Sequence, residues 1–207
     1  MKENNTDWNT AGVEVISLRS CPEKLELFCN YFRLFLREMT AGDFDALYKV
    51  LADSDSMKYY PYSFGRKEVE NWINKNLERY RVFGFGLWAV CLKSTNEMIG
   101  DCGLTMQLIN GQIKPEIGYH IRKYMQRQGY AKEAAAAVRD WTFNNTPFQV
   151  IYSYMPKANE PSIKTAIAYG CQELEDFSDE TGVITKVLAI SRTQWLENQK
   201  KSNRSRC

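Results

Sequence analysis

Hydrophobic and polar positions alternate along "YFRLFLREMT" (31–40). Phe32, Leu34 and Leu36 fall on one side and Arg33, Phe35 and Arg37 on the other, which predicts a strand. Thr40 and Asp43 follow at capping-box spacing, ahead of Phe44, Leu47 and Leu51 at helical intervals. Val69, Trp72, Ile73, Leu77 and Tyr80 mark a second helix. The pattern then shortens to strands: "LWAVCL" (87–92), "MIGDCGLTM" (98–106) and "EIGYHI" (116–121), with turns at Ser94–Asn96 and Asn110–Gly111. Pro115 donates no ladder hydrogen bond, so it is expected at the start of its strand or at a bulge. From about Gly129 a helix presents Ala131, Ala134, Val138 and Trp141 on one face. "FQVIYSYM" (148–155) reads as a strand. Asn159, with Pro161 in the first turn, opens another helix that Gly170 ends. Two last strands flank "SDETG" (178–182). The order is strand, two helices, three strands, helix, strand, helix, two strands.

This order predicts one α/β domain over 32–196. Residues 1–31 form an N-terminal extension, in which "CPEKLELFCNYF" has the character of a short helix, and 197–207 form a basic tail. Lys200, Lys201, Arg204 and Arg206 in that tail read as a solvated terminus rather than a binding arm. The 207 residues can bury a sizeable core, and 44% hydrophobic with 25% charged residues fits a soluble globular protein. A net charge of +2 demands no nucleic acid. Six cysteines without a CxxC pair, beside the lone His120, argue against a zinc or other metal site. Cys91 and Cys102 sit in apolar runs, where a free thiol packs as a small hydrophobe. No apolar run approaches the ~20 residues of a membrane span. The polar start "MKENNTDWNT" lacks a signal-peptide core. A reducing cytoplasm is the expected location.

The stretch "MQRQGYAKEAAAAVRDW" (125–141) runs a basic, glycine-bearing turn directly into an alanine-rich helix former. A helix start has unpaired N–H groups and partial positive charge, and glycine lets the backbone close around phosphate oxygens. Gln126, Gly129 and Ala131 fit Q/R-x-x-G-x-G/A, with Arg127 and Lys132 adding charge. By itself the hexapeptide fits an ordinary polar helix start as well as a pyrophosphate cradle.

Six blocks in order, "RLFLREMTAGDFDALYKVL", "GFGLWAV", "MIGDCGLT", "EIGYHI", "QRQGYAKEA" and "NEPSIKTAIAYG", resemble the GNAT superfamily of acetyl-CoA-dependent N-acetyltransferases, within it the RimJ/RimL-type branch. The resemblance covers about 32–196. It implies a GNAT-type α/β fold: a central mixed, mostly antiparallel sheet of about seven strands, splayed at the CoA site and flanked by about four helices. It implies acetyl-CoA as co-substrate, with Gln126, Arg127, Gln128, Gly129, Tyr130 and Ala131 at the pyrophosphate. Ile121 and Arg122 would lie along pantetheine, and Asn159 would contact CoA beyond the splayed strands. "MKYYPYSFG" (57–65) would line the acceptor side.

The implied reaction transfers acetyl from the thioester to a primary amine, either a protein N-terminus or a small amine. Holding the amine against the acyl carbon supplies much of the acceleration. A backbone N–H of the 116–121 strand can polarise the carbonyl. Glu116 is the first candidate base, with a structural carboxylate as the other reading. Asp101 on the neighbouring strand could orient the amine or relay a proton, or simply face solvent. His120 has a suitable unperturbed pKa of about 6.5. The resemblance gives it no role, and it is expected as a packed or exposed histidine. Many relatives place an acidic tyrosine four residues before the glycine that ends the second helix, where this chain has Ala166. Ser162 is the substitute donor to the leaving sulfur, or else a helix-start residue. Two further readings stay open: an acetyl-CoA-binding module without transferase activity, and an interaction scaffold, which would not need the QxxGxA loop. The expected assembly is a monomer or homodimer, with no nucleic-acid or membrane partner.

Overall fold

The computed structural model describes residues 33–60, 64–178 and 182–204. The N-terminal extension, Phe32 and the stretch 61–63 lie outside them. The elements are β1 (Leu34–Arg37), α1 (Phe44–Leu51), α2 (Arg66–Phe83), β2 (Leu87–Leu92), β3 (Met98–Ile109), β4 (Gln112–Ile121) and α3 (Tyr130–Asn145). There follow β5 (Val150–Pro156), α4 (Glu160–Ala168), β6 (Gln172–Glu173), β7 (Phe177–Ser178), β8 (Ile184–Ser191) and α5 (Arg192–Arg204). Eight strands form one sheet in the order β1-β2-β3-β4-β5-β8-β6, with β7 also on β8. The described residues thus add one strand and one helix to the numbers that the resemblance implies. The added helix is α5, which takes in residues 197–204, expected as part of a solvated tail.

Local chemistry explains the elements. Asp43 accepts from the Thr40 N–H at 2.7 Å and takes both terminal nitrogens of Arg37 at 2.8 and 2.6 Å. That fork ties the end of β1 to the start of α1 and satisfies a buried carboxylate. In α2 the predicted stripe is realised at Val69, Ile73 and Tyr80, whereas Leu77 is exposed. Buried Asn76 accepts from the Leu87 N–H at 2.9 Å, and the Tyr80 hydroxyl donates to the Leu87 carbonyl. Helix α2 therefore fixes where β2 begins. The Asn110–Gly111 turn has positive φ at both residues (48° and 71°), which suits the twist of the hairpin. It pairs Ile109 with Gln112, so Asp101 faces His120 and Thr105 faces Glu116.

Pro115 departs from expectation. It stands inside β4, opposite Met106. It is tolerated because β5 joins β4 in parallel at a single registered pair, Glu116 with Tyr152. Before that point the far side of β4 is an edge, where a missing N–H costs no ladder bond.

The two faces of the sheet carry different helices. Trp72 of α2 bonds Asp101, so α2 covers the face that presents Asp101, Thr105, Glu116 and His120. On the other face Trp141 of α3 meets Trp88 edge-on at 5.0 Å, and α4 reaches Tyr119 through Ser162. Cys91, Cys102 and Cys171 are buried within this packing.

Two glycines are required by close approach. A Cβ on Gly103 would lie 2.0 Å from the Gly86 carbonyl oxygen, and one on Gly100 would lie 2.0 Å from that of His120. Backbone cannot swing aside as a side-chain tip can. Gly103→Ala is therefore expected to cost about 1–3 kcal/mol by overpacking, read as a lower midpoint in urea with an unchanged slope. An unaltered midpoint would show that β2 and β3 can separate there.

Candidate active site

Beyond Glu116 the strands β4 and β5 part. The Ile117 carbonyl, the next ladder acceptor, takes the Ser153 hydroxyl at 3.2 Å, and the Ile121 carbonyl takes the Gln126 side-chain amide at 2.8 Å. In a strand the N–H and C=O of alternate residues point to the same side. The Tyr119 peptide group between them hence also points toward β5, where no strand pairing continues. The result is an opening in the sheet with backbone donors and acceptors on one wall.

The loop 122–129 stands at the end of that opening. Gln126, Arg127, Gln128 and Gly129 are exposed. Arg127 and Gly129 both adopt positive φ (62° and 84°). For arginine this conformation is uncommon, and such outliers cluster where a loop is shaped for a ligand. Gly129 has no side chain to cap α3, so the first N–H groups of that helix face outward. Arg33, just before β1, braces the loop, donating to the Gln128 carbonyl at 2.9 Å, pairing with Glu133 at 2.9 Å and lying over the Tyr130 ring. Arg122 is turned away: its N–H goes to the Ile99 carbonyl and its guanidinium to Glu97 and Tyr124. Asn159 begins α4, where its side chain accepts from the Ser162 N–H at 3.3 Å.

On the α2 face Glu116 is buried and accepts from the Thr105 hydroxyl at 3.0 Å. Burial pushes its carboxyl up to about 7, against smaller opposing effects of Thr105, His120 and Arg79. A base poised there is half ionised near neutrality. Asp101 is fully buried, with one oxygen on the Trp72 indole N–H at 2.9 Å and the other on His120 Nδ1 at 2.7 Å. On the opposite face the Tyr119 hydroxyl lies 2.9 Å from Ser162 Oγ and 3.0 Å from its carbonyl oxygen. Burial raises the Tyr119 phenol, which keeps it protonated. Ala166 is fully buried, and so is Tyr169. The site therefore has a carboxylate on one face and a pair of hydroxyls on the other.

Residues 33–172 match the family model described as an acetyltransferase (GNAT) domain. The chain belongs to the GNAT acetyltransferase family. A Bacillus subtilis relative, the uncharacterized protein YkkB, is 34% identical over 139 residues, covering 67% of this chain and 81% of its own length. A GNAT-family acetyltransferase from Bacillus anthracis superposes with a TM-score of 0.69 at 24% identity, over 79% of this chain and 97% of that one. RimL, a ribosomal L7/L12 alpha-N-protein acetyltransferase solved with coenzyme A, does so at 0.66 and 17% identity, over 82% and 98%. Identities this low establish a shared GNAT fold and nothing finer.

The sequence pointed to Glu116, Asp101, Ser162 and the 126–131 loop of this GNAT domain. The structure gathers Glu116 and Asp101 on one face, and Ser162 and the opening on the other side of the sheet. It adds Thr105, Trp72, Tyr119 and Tyr60. Thr105 was within reach of sequence reasoning, since a two-residue turn at Asn110–Gly111 sets it opposite Glu116. Tyr60 falls in the 57–65 stretch expected on the acceptor side and Trp72 on the helical stripe of α2, but no local pattern signals that Tyr60 meets His120 or that Trp72 meets Asp101.

Proposed function

We propose that this protein transfers the acetyl group of acetyl-CoA to a primary amine by direct attack in a ternary complex. The observation that carries the reading is the opening between β4 and β5, which ends at the exposed, positive-φ loop before α3. The N–H groups of 127–131 would hold the pyrophosphate, with Arg127 supplying charge. The Tyr119 and Ile121 peptide groups would run along pantetheine, and Asn159 would meet the CoA chain at the start of α4, whereas Arg122, held by Ile99, Glu97 and Tyr124, would anchor the strand end rather than contact the arm. When bound, the thioester supplies the activated acyl group. Glu116 takes a proton from the amine on the α2 face, directly or through water, and Ser162 donates a hydrogen bond to the departing sulfur.

The RimJ/RimL-type likeness favours an α-amine acceptor, the kind that RimL's own description names. Its reference pKa of about 7.7–8 makes proton removal easier than from lysine near 10.4. A panel of N-terminal peptides and small amines, followed by acetyl-CoA-dependent release of free thiol, tests both the reaction and the acceptor. Failure of every amine in the panel to release thiol, despite acetyl-CoA binding, would favour the alternative of a binding module.

Ala166 is the feature that favours that alternative, because the acid of many relatives is missing. Ser162 and Tyr119 answer it. With the Tyr119 O–H donated to Ser162 Oγ, the Ser162 proton is left to donate elsewhere. A well-placed donor of this kind is worth about 2.7–4 kcal/mol to the transition state. Ser162→Ala is expected to lower turnover about 10²-fold with little change in acetyl-CoA affinity. Equal losses in both would return Ser162 to a helix-start role. Ala166→Tyr does not offer a simple rescue, because the position is packed and a ring there overfills the core.

A further inference from the structure

His120 is the one histidine of the chain. Its side chain is 8% exposed, and both ring nitrogens are engaged. Nδ1 lies 2.7 Å from Asp101 Oδ1 on the facing strand β3. Nε2 lies 2.6 Å from the hydroxyl of Tyr60, in the turn that follows α1. An ionised carboxylate only accepts, so Nδ1 carries the hydrogen. Nε2 is then left to accept the Tyr60 O–H. The second Asp101 oxygen is fixed by Trp72 Nε1, and the Trp72 ring meets the imidazole edge-on at 5.6 Å. Asp101 on β3 and Glu116 on β4 are the charged groups that act on the imidazole, while α2 contributes the uncharged Trp72 ring.

Packing alone does not account for this arrangement. Burying a carboxylate and an imidazole costs several kcal/mol that an apolar pair would not. The chain of three also has a direction. It starts at a fully buried carboxylate and ends at a tyrosine that is 41% exposed, on the same α2 face that carries Glu116.

We infer that Tyr60, His120 and Asp101 form a relay that takes the proton of the incoming ammonium. The Tyr60 oxygen accepts that proton as its own passes to His120 Nε2, so tyrosine ends unchanged and the imidazolium stands against Asp101. The freed lone pair of the amine is the nucleophile. This inference rests on the acetyl-transfer reading above and deepens it. An ammonium loses two protons on becoming an amide: one before attack, and one as the C–N bond forms. The relay takes the first and returns it to solvent. Glu116 takes the second, which matches the proton gained by the leaving thiolate. Burial lowers the His120 pKa, but the charge and hydrogen bond of Asp101 together with the charge of Glu116 outweigh it and the net direction is upward, as a proton acceptor requires.

Tyr60→Phe, His120→Gln and wild type are compared with amines of graded pKa across pH 6–9. Loss of the relay should cost about 10²-fold in kcat/KM for an alkylamine at neutral pH. That loss should shrink as the amine pKa falls or the pH rises, because such amines arrive already deprotonated. A loss equal for all amines and all pH values, or no loss with the alkylamine, overturns the relay while leaving the transferase reading intact. Absence of thiol release by wild type with every amine removes both. A measurement without turnover runs in parallel, since a lone histidine gives one imidazole titration by NMR. Asp101→Asn should lower its midpoint by at least one pH unit, on the order of the effect of an adjacent carboxylate. An unmoved midpoint would mean that Asp101 and His120 are not coupled, and the relay fails.

Discussion

Gly129→Glu is expected to remove acetyl-CoA binding. The residue is the left-handed N-cap of α3, at φ 84°, with the outward N–H groups of the helix beside it. A carboxylate there would stand where a phosphate belongs. At ~4 Å and an effective dielectric constant of ~20, two like charges repel by about 4 kcal/mol. That corresponds to about 10³-fold in affinity, before the second phosphate is counted. Left-handed backbone adds about 1–2 kcal/mol of strain for a residue with a Cβ, so a control is needed. Gly129→Asn tolerates the same backbone and adds no charge, and should lose far less affinity. Calorimetry with acetyl-CoA, alongside thermal melts of both variants, separates charge from strain. Equal affinity of Gly129→Glu and wild type would place the pyrophosphate elsewhere.

Glu116→Gln is expected to slow turnover while making the protein more stable in mild alkali. Loss of a general base costs about 10²–10⁴-fold, and acetyl-CoA affinity should hold because the side chain faces α2 rather than the loop. Turnover of wild type should rise with pH through about 7, as the buried carboxyl ionises. The variant should lose the part of that limb owed to Glu116 and keep the part that His120 and the amine itself contribute. Stability moves the other way. The folded pKa is raised above its ordinary 4.5, so the protonated form is favoured by folding. That contribution is complete below about pH 4.5 and lost as pH rises through 7, and the shift corresponds to about 3 kcal/mol. Glutamine carries no charge to bury. The variant should therefore gain several degrees in melting temperature over wild type at pH 8 and nothing comparable at pH 4. A wild-type rate with chemistry rate-limiting would discard Glu116 as base. A melting difference independent of pH would show that its burial carries no ionisation cost.

Several features of the fold are local in origin, and the sequence by itself determined them. Period and caps give α1, α2 and α3 nearly to their ends, since apolar spacing and a capping box act within a turn or two. The Asn110–Gly111 turn goes further. Two residues with positive φ close the hairpin, and counting back eight from Ile109 and forward eight from Gln112 sets Asp101 opposite His120. The QxxGxA loop is equally local, because glycine's conformational freedom and an exposed helix start belong to one short segment.

The chemistry of the site was decided elsewhere. Glu116 is an ordinary carboxyl in sequence, and its position on the pH scale comes from burial beneath α2. Pro115 reads as a strand entry or a bulge until β5 is seen to join only after it. Ser162 gains its partner Tyr119 across the sheet, and His120 gains Tyr60 from a turn sixty residues earlier. A side chain's charge state depends on everything packed around it, and no single stretch of chain contains those neighbours. Only the tertiary structure brings them together.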